Sequence, residues 1–405
     1  MRDQTAAMRL RDRELAEGYV ASICFKHGPP RLYGVELEWT VHHADDPSRP
    51  LDAQTLRRAL GPHAPPTLRP QEIQAPLSQG STVSVEPGGQ VELSSTPHDS
   101  VAALVRACRA DVGQLHALLA DAGLVCGSQA VDPYRPPTRL LDTPRYRAMQ
   151  TAFDRIGPHG VRMMCSTAAV QVCLDAGEQD QVASRWAALH GLGPVMIALF
   201  ANSASVAPDG QACESARMRS VLGTEASRSL PPKLGEDPAR AWARHVLDAP
   251  LLCVRRPGGC WDAPTGVTFA DWIDGALPNR PTTDDLDYHL TTMFTPVRPR
   301  GHLEVRYLDA QAGDGWITPV VLLGALMAHE HLIDEVLAAT APVTGLWFEA
   351  ARHGLAHPAI VIAAERVLDL GCDALAATDG VPGSLPAVVH ADLDHRRSDL
   401  ILAKR

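Results

Sequence analysis

The sequence predicts an α+β fold in which a mostly antiparallel sheet carries helices on one face only. Four segments alternate apolar and polar residues with a period of two, which is typical of strands with one buried and one polar face. Longer segments repeat apolar residues at i, i+3 and i+4, as amphipathic helices do. The chain of 405 residues is long enough for a large core, and the part after about residue 317 contains no alternating segment. We therefore expect the last quarter to be helical.

Apolar periodicity places the helices along the chain. The clearest is a helix over 101–122, which Asp99 or Ser100 can cap and which Gly123 ends. The same periodicity predicts the other helices over 2–24, 142–155, 179–200, 236–248, 317–339 and 358–376. The Pro/Gly-rich segments between them are typical of loops rather than of domain linkers. We expect one large domain over 1–340 and a helical C-terminal extension over 341–405 packed on it.

The four strand segments put carboxylates on their polar faces. In segment 33–41 the odd positions are apolar, so that Glu36 and Glu38 share the opposite face. In segment 83–94, Pro87-Gly88-Gly89 predicts a turn between two strands. The polar positions of that segment and of segments 170–175 and 302–307 are Glu86, Gln90, Glu92, Ser94, Gln171, Cys173, Asp175, His302, Glu304 and Arg306.

The residue types on these faces favour a cation site, although the simpler alternative is that the faces meet water. Converging carboxylates repel one another, and their pKa values rise unless cations neutralise them. Oxygen ligands favour Mg²⁺ or Mn²⁺ over zinc, and five carboxylates exceed what one Mg²⁺ ordinarily takes from a protein. We expect two or three Mg²⁺ ions, with Mn²⁺ as an alternative, at the five glutamates Glu36, Glu38, Glu86, Glu92 and Glu304.

Almost all basic residues of this chain are arginines. The net charge is −10, and the basic residues are 34 arginines and three lysines. An acidic chain without a basic block argues against nucleic acid or an anionic membrane as a partner. No lysine lies in a P-loop motif. Arg217, Arg219 and Arg228 in the aperiodic segment 203–235 suit bidentate phosphate or carboxylate contacts, unless they only face solvent. Together with the acidic face they predict metal-assisted phosphoryl transfer from a nucleotide without a P-loop.

The sequence also predicts a cytoplasmic location. No window reaches the roughly 18 apolar residues that a membrane span needs, and the N-terminal residues lack the apolar stretch of a signal peptide. The nine cysteines are an odd number without a C-x-x-C pair, so we expect reduced thiols.

Six strings in order carry a family resemblance. They are G-V-E-L-E at 34–38, E-P-G-G-Q-V-E-L-S at 86–94, L-F-A-N-S at 199–203, M-R-S at 218–220, H-L-T-T-M-F at 289–294 and L-E-V-R at 303–306. Together they resemble the plant and bacterial glutamate–cysteine ligases over about residues 30–325. The string M-M-C-S-T-A-A-V-Q-V at 163–172 is most similar to the actinobacterial branch that makes γ-glutamylcysteine for ergothioneine.

The resemblance implies a bent antiparallel sheet, similar to that of glutamine synthetase, with a substrate funnel on its polar face and a catalytic ligase domain over 1–340. It implies that ATP phosphorylates the γ-carboxylate of glutamate, and that the cysteine amine then attacks the acyl phosphate with Mg²⁺ bridging the phosphates. Matched by position, the five glutamates above bind metal, and Arg219 and Arg306 are catalytic. The matched positions for substrate or ATP binding are Gln171, Asn202, Arg217 and Thr292.

Three positions depart from the family pattern. Gln171 falls where some relatives have a histidine ligand, while Ser166 and Cys173 stand where plant relatives have arginine and asparagine. We therefore expect the glutamate carboxylate to be recognised differently here. The alternatives left open are an ATP-dependent carboxylate–amine ligase with a different amine or acid, a metal-dependent hydrolase, and a binding protein that has lost catalysis.

Overall fold

Six antiparallel strands form the central sheet of the protein. The computed structural model describes residues 7–206, 209–235, 237–377 and 385–403. The strands are β1 (Tyr33–Trp39), β2 (Val41–His43), β3 (Thr82–Val85), β4 (Val91–Ser94), β5 (Leu124–Cys126), β6 (Ala169–Leu174), β7 (Ser205–Val206), β8 (Ala212–Cys213), β9 (Val297–Pro299) and β10 (Leu303–Asp309). The sheet order is β3-β4-β1-β6-β10-β9, while β2 pairs with β5 and β7 with β8.

The register brings the predicted polar positions to one face of the sheet. Glu38 lies opposite Glu92, and Glu36 lies opposite Gln171. Glu304 of β10 lies opposite Cys173 of β6. Because directly opposite residues of antiparallel strands point to the same face, these side chains are neighbours across four strands. The four predicted strand segments are confirmed.

The predicted turn at 87–89 has a packing role as well as a conformational one. Glu86 N–H donates to the carbonyl of Gln90 (2.8 Å), and Gly89 has a φ of +94°, which favours glycine. A Cβ on Gly88 would overlap the carbonyl of Cys165. The turn therefore packs directly on the helix that contains Cys165 and holds Glu86 at the rim of the polar face.

Helices make up most of the rest of the described chain. They are α1 (Arg13–Cys24), α2 (Ala53–Leu60), α3 (Val101–Asp121), α4 (Pro144–Asp154), α5 (His159–Ser166), α6 (Val182–Leu199), α7 (Ala216–Leu222), α8 (Ala226–Ser229), α9 (Pro238–Asp248), α10 (Phe269–Ile273), α11 (Thr283–Leu290), α12 (Ile317–Leu326), α13 (Glu330–Thr340), α14 (Trp347–His353), α15 (Pro358–Ala377) and α16 (Leu385–Ala403). Helices α3, α6 and α12 pack on the apolar face of the sheet.

The helix predictions hold with two corrections. The helix predicted over 2–24 begins only at Arg13, since Asp12 accepts a hydrogen bond from Leu15 N–H as the N-cap, and residues 1–6 lie outside the described residues. The helix predicted over 317–339 is two helices, α12 and α13, because α12 ends at Leu326 and the backbone of His329 is extended. Residue 236, in the predicted helix 236–248, lies outside the described residues, and α9 begins at Pro238.

The C-terminal part is helical as predicted, apart from residues 378–384 and 404–405, which lie outside the described residues. Helices α14 and α15 pack on α6, and α16 packs on α12 and α15. These contacts join the segment to the main core. The boundary between a domain over 1–340 and an extension over 341–405 stays a prediction.

One described helix, α6, is long and apolar enough to cross a membrane, and 83% of it is buried inside the protein. Segments Gly313–Leu326 and Glu330–Thr340 pass the same test only as a pair, with a bend of 111° between them.

Candidate active site

The polar face of the sheet forms the floor of an open cavity with about 1190 Å³ of empty space. The sheet side of the cavity is lined by the predicted residues Glu36, Glu38, Glu86, Gln90, Glu92, Gln171 and Arg306. The other lining residues come from helices α4, α5 and α7 and from segment 291–300, which includes the edge strand β9 of the sheet. They are Arg145, Tyr146, Met149, Met163, Met164, Arg217, Met218, Thr291, Phe294, Pro296, Arg298 and Arg300. The predicted funnel on the polar face is therefore present.

The protein does not fully compensate the charged form of the cavity glutamates, so that form is disfavoured. Burial, then Glu92 and Glu304, raise the pKa of Glu36 to about 8. Burial and the neighbouring glutamates likewise raise the pKa of Glu92 to about 8 and that of Glu38 to about 7. Burial also raises the pKa of Glu86. Buried carboxylates with raised pKa values are the donors that a hard divalent cation would stabilise, so their chemistry fits Mg²⁺.

The glutamate side chains are not arranged around a common metal-binding position. Among the described residues, no three His, Cys, Asp or Glu side chains are arranged so that they could hold a metal ion. Glu92 instead accepts a hydrogen bond from Ser84 Oγ (2.7 Å), and Glu38 accepts one from Gln171 Nε2 (2.5 Å). Coordination of an ion would therefore require rotation of these side chains, and the ligand set stays a prediction.

Glu304 differs from the other four glutamates because arginines surround it. It is fully buried, and Arg298 donates to it from Nε (2.6 Å) and Nη2 (3.2 Å). Arg306 Nη1 lies 3.2 Å from Glu304 Oε2. Burial alone would raise the pKa of Glu304, but Arg298 and then Arg306 outweigh it and hold that pKa well below its ordinary value. Glu304 does not line the cavity, and its predicted metal role stays untested.

Gln171 connects the acidic and the basic side of the cavity. Its Nε2 donates to Glu38, and its Oε1 accepts from Arg306 Nη1. The amide thus orients one predicted metal ligand and one predicted catalytic arginine together. This arrangement suits the predicted role of Gln171 in substrate or ATP binding.

Arg217 is the predicted loop arginine that lines the cavity. It lies in the first turn of α7, where Ser215 is the N-cap, and its Nη2 donates to the carbonyl of Arg306 (2.7 Å). Its charge lowers the pKa of Glu38, although burial and Glu86 raise that pKa more. Arg217 therefore places a positive charge near Glu38 and next to the backbone of Arg306.

Besides Glu304, three predicted site residues do not line the cavity. Arg219 pairs with Asp209, and its guanidinium packs on the ring of Phe348 at 5.2 Å. The Asn202 amide donates to two backbone carbonyls, those of Ser128 and Ala310 (both 2.7 Å). Buried Thr292 donates from Oγ1 to the carbonyl of His289 (2.6 Å). Their predicted roles stay untested.

The structure contradicts the expectation that Arg228 contacts a phosphate or carboxylate ligand. It is fully buried in α8, where its Nε donates to Glu225 Oε2 (2.5 Å). Its Nη1 donates to the carbonyl and Oγ1 of Thr292 (2.9 and 2.8 Å). Because every nitrogen of the guanidinium is used inside the protein, Arg228 supports the segment that carries Phe294 rather than contacting a ligand.

Several residues that line the cavity were not predicted from the sequence. Arg298 lies on β9, which has three residues and is too short to show alternation. Arg145 opens α4; its guanidinium packs on the Tyr288 ring at 5.0 Å, and its Nη1 donates to Thr291 Oγ1 (2.9 Å). Only the packing of separate segments brings these arginines to the cavity.

A second cavity adjoins the first at the other end of the polar face. Glu36 and Arg300 line both cavities. The second cavity is further lined by Tyr33, Lys26, Ser94, Cys173 and His302, among others. Burial raises the pKa of the Cys173 thiol well above its ordinary value, so this thiol is neutral in the wall. Glu36 and Arg300 therefore mark where the two cavities meet.

The fold and the cavity define a protein whose candidate site combines an acidic face of an antiparallel sheet with several arginines. Comparison with known proteins gives the particular family. The sequence profile of "Glutamate-cysteine ligase family 2 (GCS2)" matches residues 32–379, and the chain belongs to this family of ligases. The resemblance found in the six strings is confirmed.

Curated relatives support this assignment along most of the chain. Glutamate–cysteine ligase EgtA of Mycobacterium tuberculosis H37Rv is 39% identical over 398 residues, which are 96% of this chain and 88% of the relative. EgtA of Mycolicibacterium smegmatis is 38% identical over 350 residues, covering 84% of this chain and 80% of the relative. The chloroplastic glutamate–cysteine ligase A of Oryza sativa subsp. japonica is 30% identical over 300 residues, covering 67% and 60%.

Solved structures support the fold. A glutamate–cysteine ligase from Francisella tularensis in complex with AMP matches with a TM-score of 0.51 at 13% identity, covering 92% of this chain and 83% of that one. The ligase PafA in complex with the ubiquitin-like protein Pup matches with a TM-score of 0.50 at 11% identity, covering 92% and 64%. With the antiparallel sheet and its helices, the predicted α+β fold class is confirmed.

Proposed function

We propose that this ligase joins the γ-carboxyl group of L-glutamate to the amino group of L-cysteine with ATP, giving γ-glutamylcysteine for ergothioneine biosynthesis. The observation that carries the proposal is the cavity that four partly buried glutamates line together with Arg217 and Arg306, in a chain 39% identical to a mycobacterial glutamate–cysteine ligase EgtA. The mycobacterial relatives support glutamate and cysteine as the two amino acids.

The chemistry needs two displacements and no protein nucleophile. A γ-carboxylate oxygen of glutamate attacks the terminal phosphorus of ATP, and the bond from that phosphorus to the ADP oxygen breaks. The cysteine nitrogen then attacks the acyl carbon, and the bond from that carbon to the phosphate oxygen breaks, with one proton lost from nitrogen. Arg217 and Arg306, which both line the cavity, would hold anionic groups during these steps, and positioning would supply much of the acceleration.

We assign two or three Mg²⁺ ions, with Mn²⁺ as a substitute, to the acidic floor. Glu36, Glu38, Glu86 and Glu92 would hold them, and Glu304 would join if an ion replaced one of its arginine contacts. When bound, such ions neutralise charge on the phosphates and draw them onto the sheet. The raised pKa values of the lining glutamates support this assignment because a bound cation relieves the repulsion that raises them.

We further propose that the enzyme works in the cytoplasm on small molecules. All nine cysteines are free thiols in the structure. Free thiols in a chain of this size fit a reducing compartment, where disulfides do not persist.

The function is tested by incubating the purified chain with ATP, MgCl₂ and glutamate, with and without cysteine. ADP release should depend on both amino acids, and mass spectrometry should find γ-glutamylcysteine. A panel of other amines and acids in the same assay tests the substrate assignment. If ADP is released only with a different amine or acid, the proposed substrates are wrong. If a phosphate or amide substrate is turned over without ATP, the protein is a hydrolase and not a ligase.

A further inference from the structure

A buried carboxylate behind the cavity ties together three segments that are distant in sequence. Asp309 is the last residue of β10, and its side chain is 2% exposed. Ser203 Oγ (2.6 Å) and Asn202 N–H (2.9 Å) donate to its Oδ2, and Ser215 Oγ (2.8 Å) donates to its Oδ1. The segment after α6 and the N-cap of α7 are therefore both fastened to the end of the strand that carries Arg306.

The same carboxylate lies next to the guanidinium of Arg217. Arg217 Nη1 is 3.8 Å from Asp309 Oδ1, and Nη2 of the same guanidinium donates to the carbonyl of Arg306 (2.7 Å). The Arg217 N–H donates to Ser203 Oγ (3.2 Å), which itself donates to Asp309. Arg217 is thus linked to this carboxylate twice, by its backbone through Ser203 and by its guanidinium through an ion pair.

We infer that Asp309 is a positioning residue of the ligase reaction, which acts through Arg217 by holding its guanidinium at the cavity wall. The inference rests on the proposed function, because Arg217 is the residue that would contact the substrate anion. Asp309 does not line the cavity, so any effect on turnover must pass through a neighbour. A guanidinium displaced by about 1 Å can cost on the order of 100-fold in rate.

The chain offers a matched control in Asp111, a second fully buried carboxylate. Ser78 Oγ (3.0 Å), Gln79 N–H (2.7 Å) and Ser81 N–H (3.1 Å) donate to Asp111, so it joins segments of chain as Asp309 does. In the described part of the chain, however, it has no arginine beside it and does not line the cavity. The substitution Asp111→Asn therefore removes a buried charge of structural importance only.

The test is a double-mutant cycle in the γ-glutamylcysteine assay, with kcat and each KM expressed per folded enzyme. Asp309→Asn should lower kcat about 10- to 100-fold in the wild-type background and change kcat less than about twofold in the Arg217→Gln background. Asp111→Asn should lower the melting temperature and leave kcat near the wild-type value.

An equal loss of kcat from Asp309→Asn in both backgrounds would overturn the inference, since Asp309 would then act on the fold as a whole. If Asp309→Asn does not fold, Ser203→Ala is tested in the same cycle. This variant keeps the carboxylate, but it removes one hydrogen bond to Asp309 and the one that Ser203 Oγ accepts from Arg217 N–H. Its smaller loss of kcat should shrink in the Arg217→Gln background, because only the part that passes through the guanidinium can disappear there. A wild-type chain that makes no γ-glutamylcysteine would contradict the proposed function itself, whereas an active wild type with additive variants would contradict only the role of Asp309.

Discussion

Glu36 lies where the two cavities of the polar face meet, so it is the residue at which a single substitution should matter most. We predict that Glu36→Ala lowers kcat by on the order of 10²–10³ because one charge contact to the reacting groups is lost. The fold should survive, since the variant removes a buried carboxylate that repels Glu92. ADP release and circular dichroism check both parts, with the exposed Glu14→Ala as control. Near-wild-type turnover of Glu36→Ala would contradict the metal assignment.

The raised pKa values of the cavity glutamates make stability depend on pH. Between their ordinary value of 4.5 and the value of about 8 for Glu36 and Glu92, the folded chain binds more protons than the unfolded chain. Without metal ions, the contribution of these glutamates to stability should therefore fall as the pH rises from 4.5 through about 8. A bound cation removes this penalty, so Mg²⁺ should stabilise the protein more at pH 8.5 than at pH 6.

Melting temperatures in EDTA and in MgCl₂ across this pH range measure the effect. The variant Glu36→Gln should show a smaller difference between pH 6 and pH 8.5. An Mg²⁺ effect that is the same at both pH values would show that the ions do not bind these carboxylates.

At the scale of elements, the turn between β3 and β4 determines the position of Glu86. Because a Cβ on Gly88 would overlap the carbonyl of Cys165, Gly88→Ala should push α5 away from the sheet. Overpacking of this kind costs about 1–3 kcal/mol, and the shift should also lower kcat because Glu86 moves. Urea unfolding and the ligase assay check this prediction. Gly113→Ala on α3 is the matched control: nothing lies within 4 Å of its Cβ, and it should stabilise the protein slightly.

Sequence periodicity could predict the main elements because it reports local geometry. Side chains alternate along a strand, so the polar faces of β1, β3, β4, β6 and β10 could be read before any pairing was known. The edge strand β9 and the short helix α8 are too brief to carry a period, and their arginines were missed or misassigned for that reason. Arg228 illustrates this, since a charged residue in an aperiodic segment gave no sign that it would be fully buried.

At the scale of the whole molecule, the C-terminal helices belong to the main hydrophobic core. Leu393 of α16 is fully buried in this core, and α16 packs on α12 and α15. We predict that Leu393→Ala destabilises the protein by about 2–5 kcal/mol through the lost burial and the cavity that remains. The kcat per folded enzyme should be unchanged, as measured well below the melting temperature. A lower kcat with unchanged unfolding would assign the C-terminal segment a role in the reaction.

The sequence by itself determined which carboxylates share a face, which family the chain belongs to and that no lysine lies in a P-loop motif. These properties are local, because they depend on residue spacing, motif strings and composition. Only the tertiary structure decided which arginines face which carboxylates. Arg145, Arg217, Arg298 and Arg306 come from separate segments, and the burial of Glu304 among arginines and the fastening of Arg217 to Asp309 depend on how these segments pack. Contacts of this kind leave no periodic pattern along the chain, and so they could be seen only in the folded molecule.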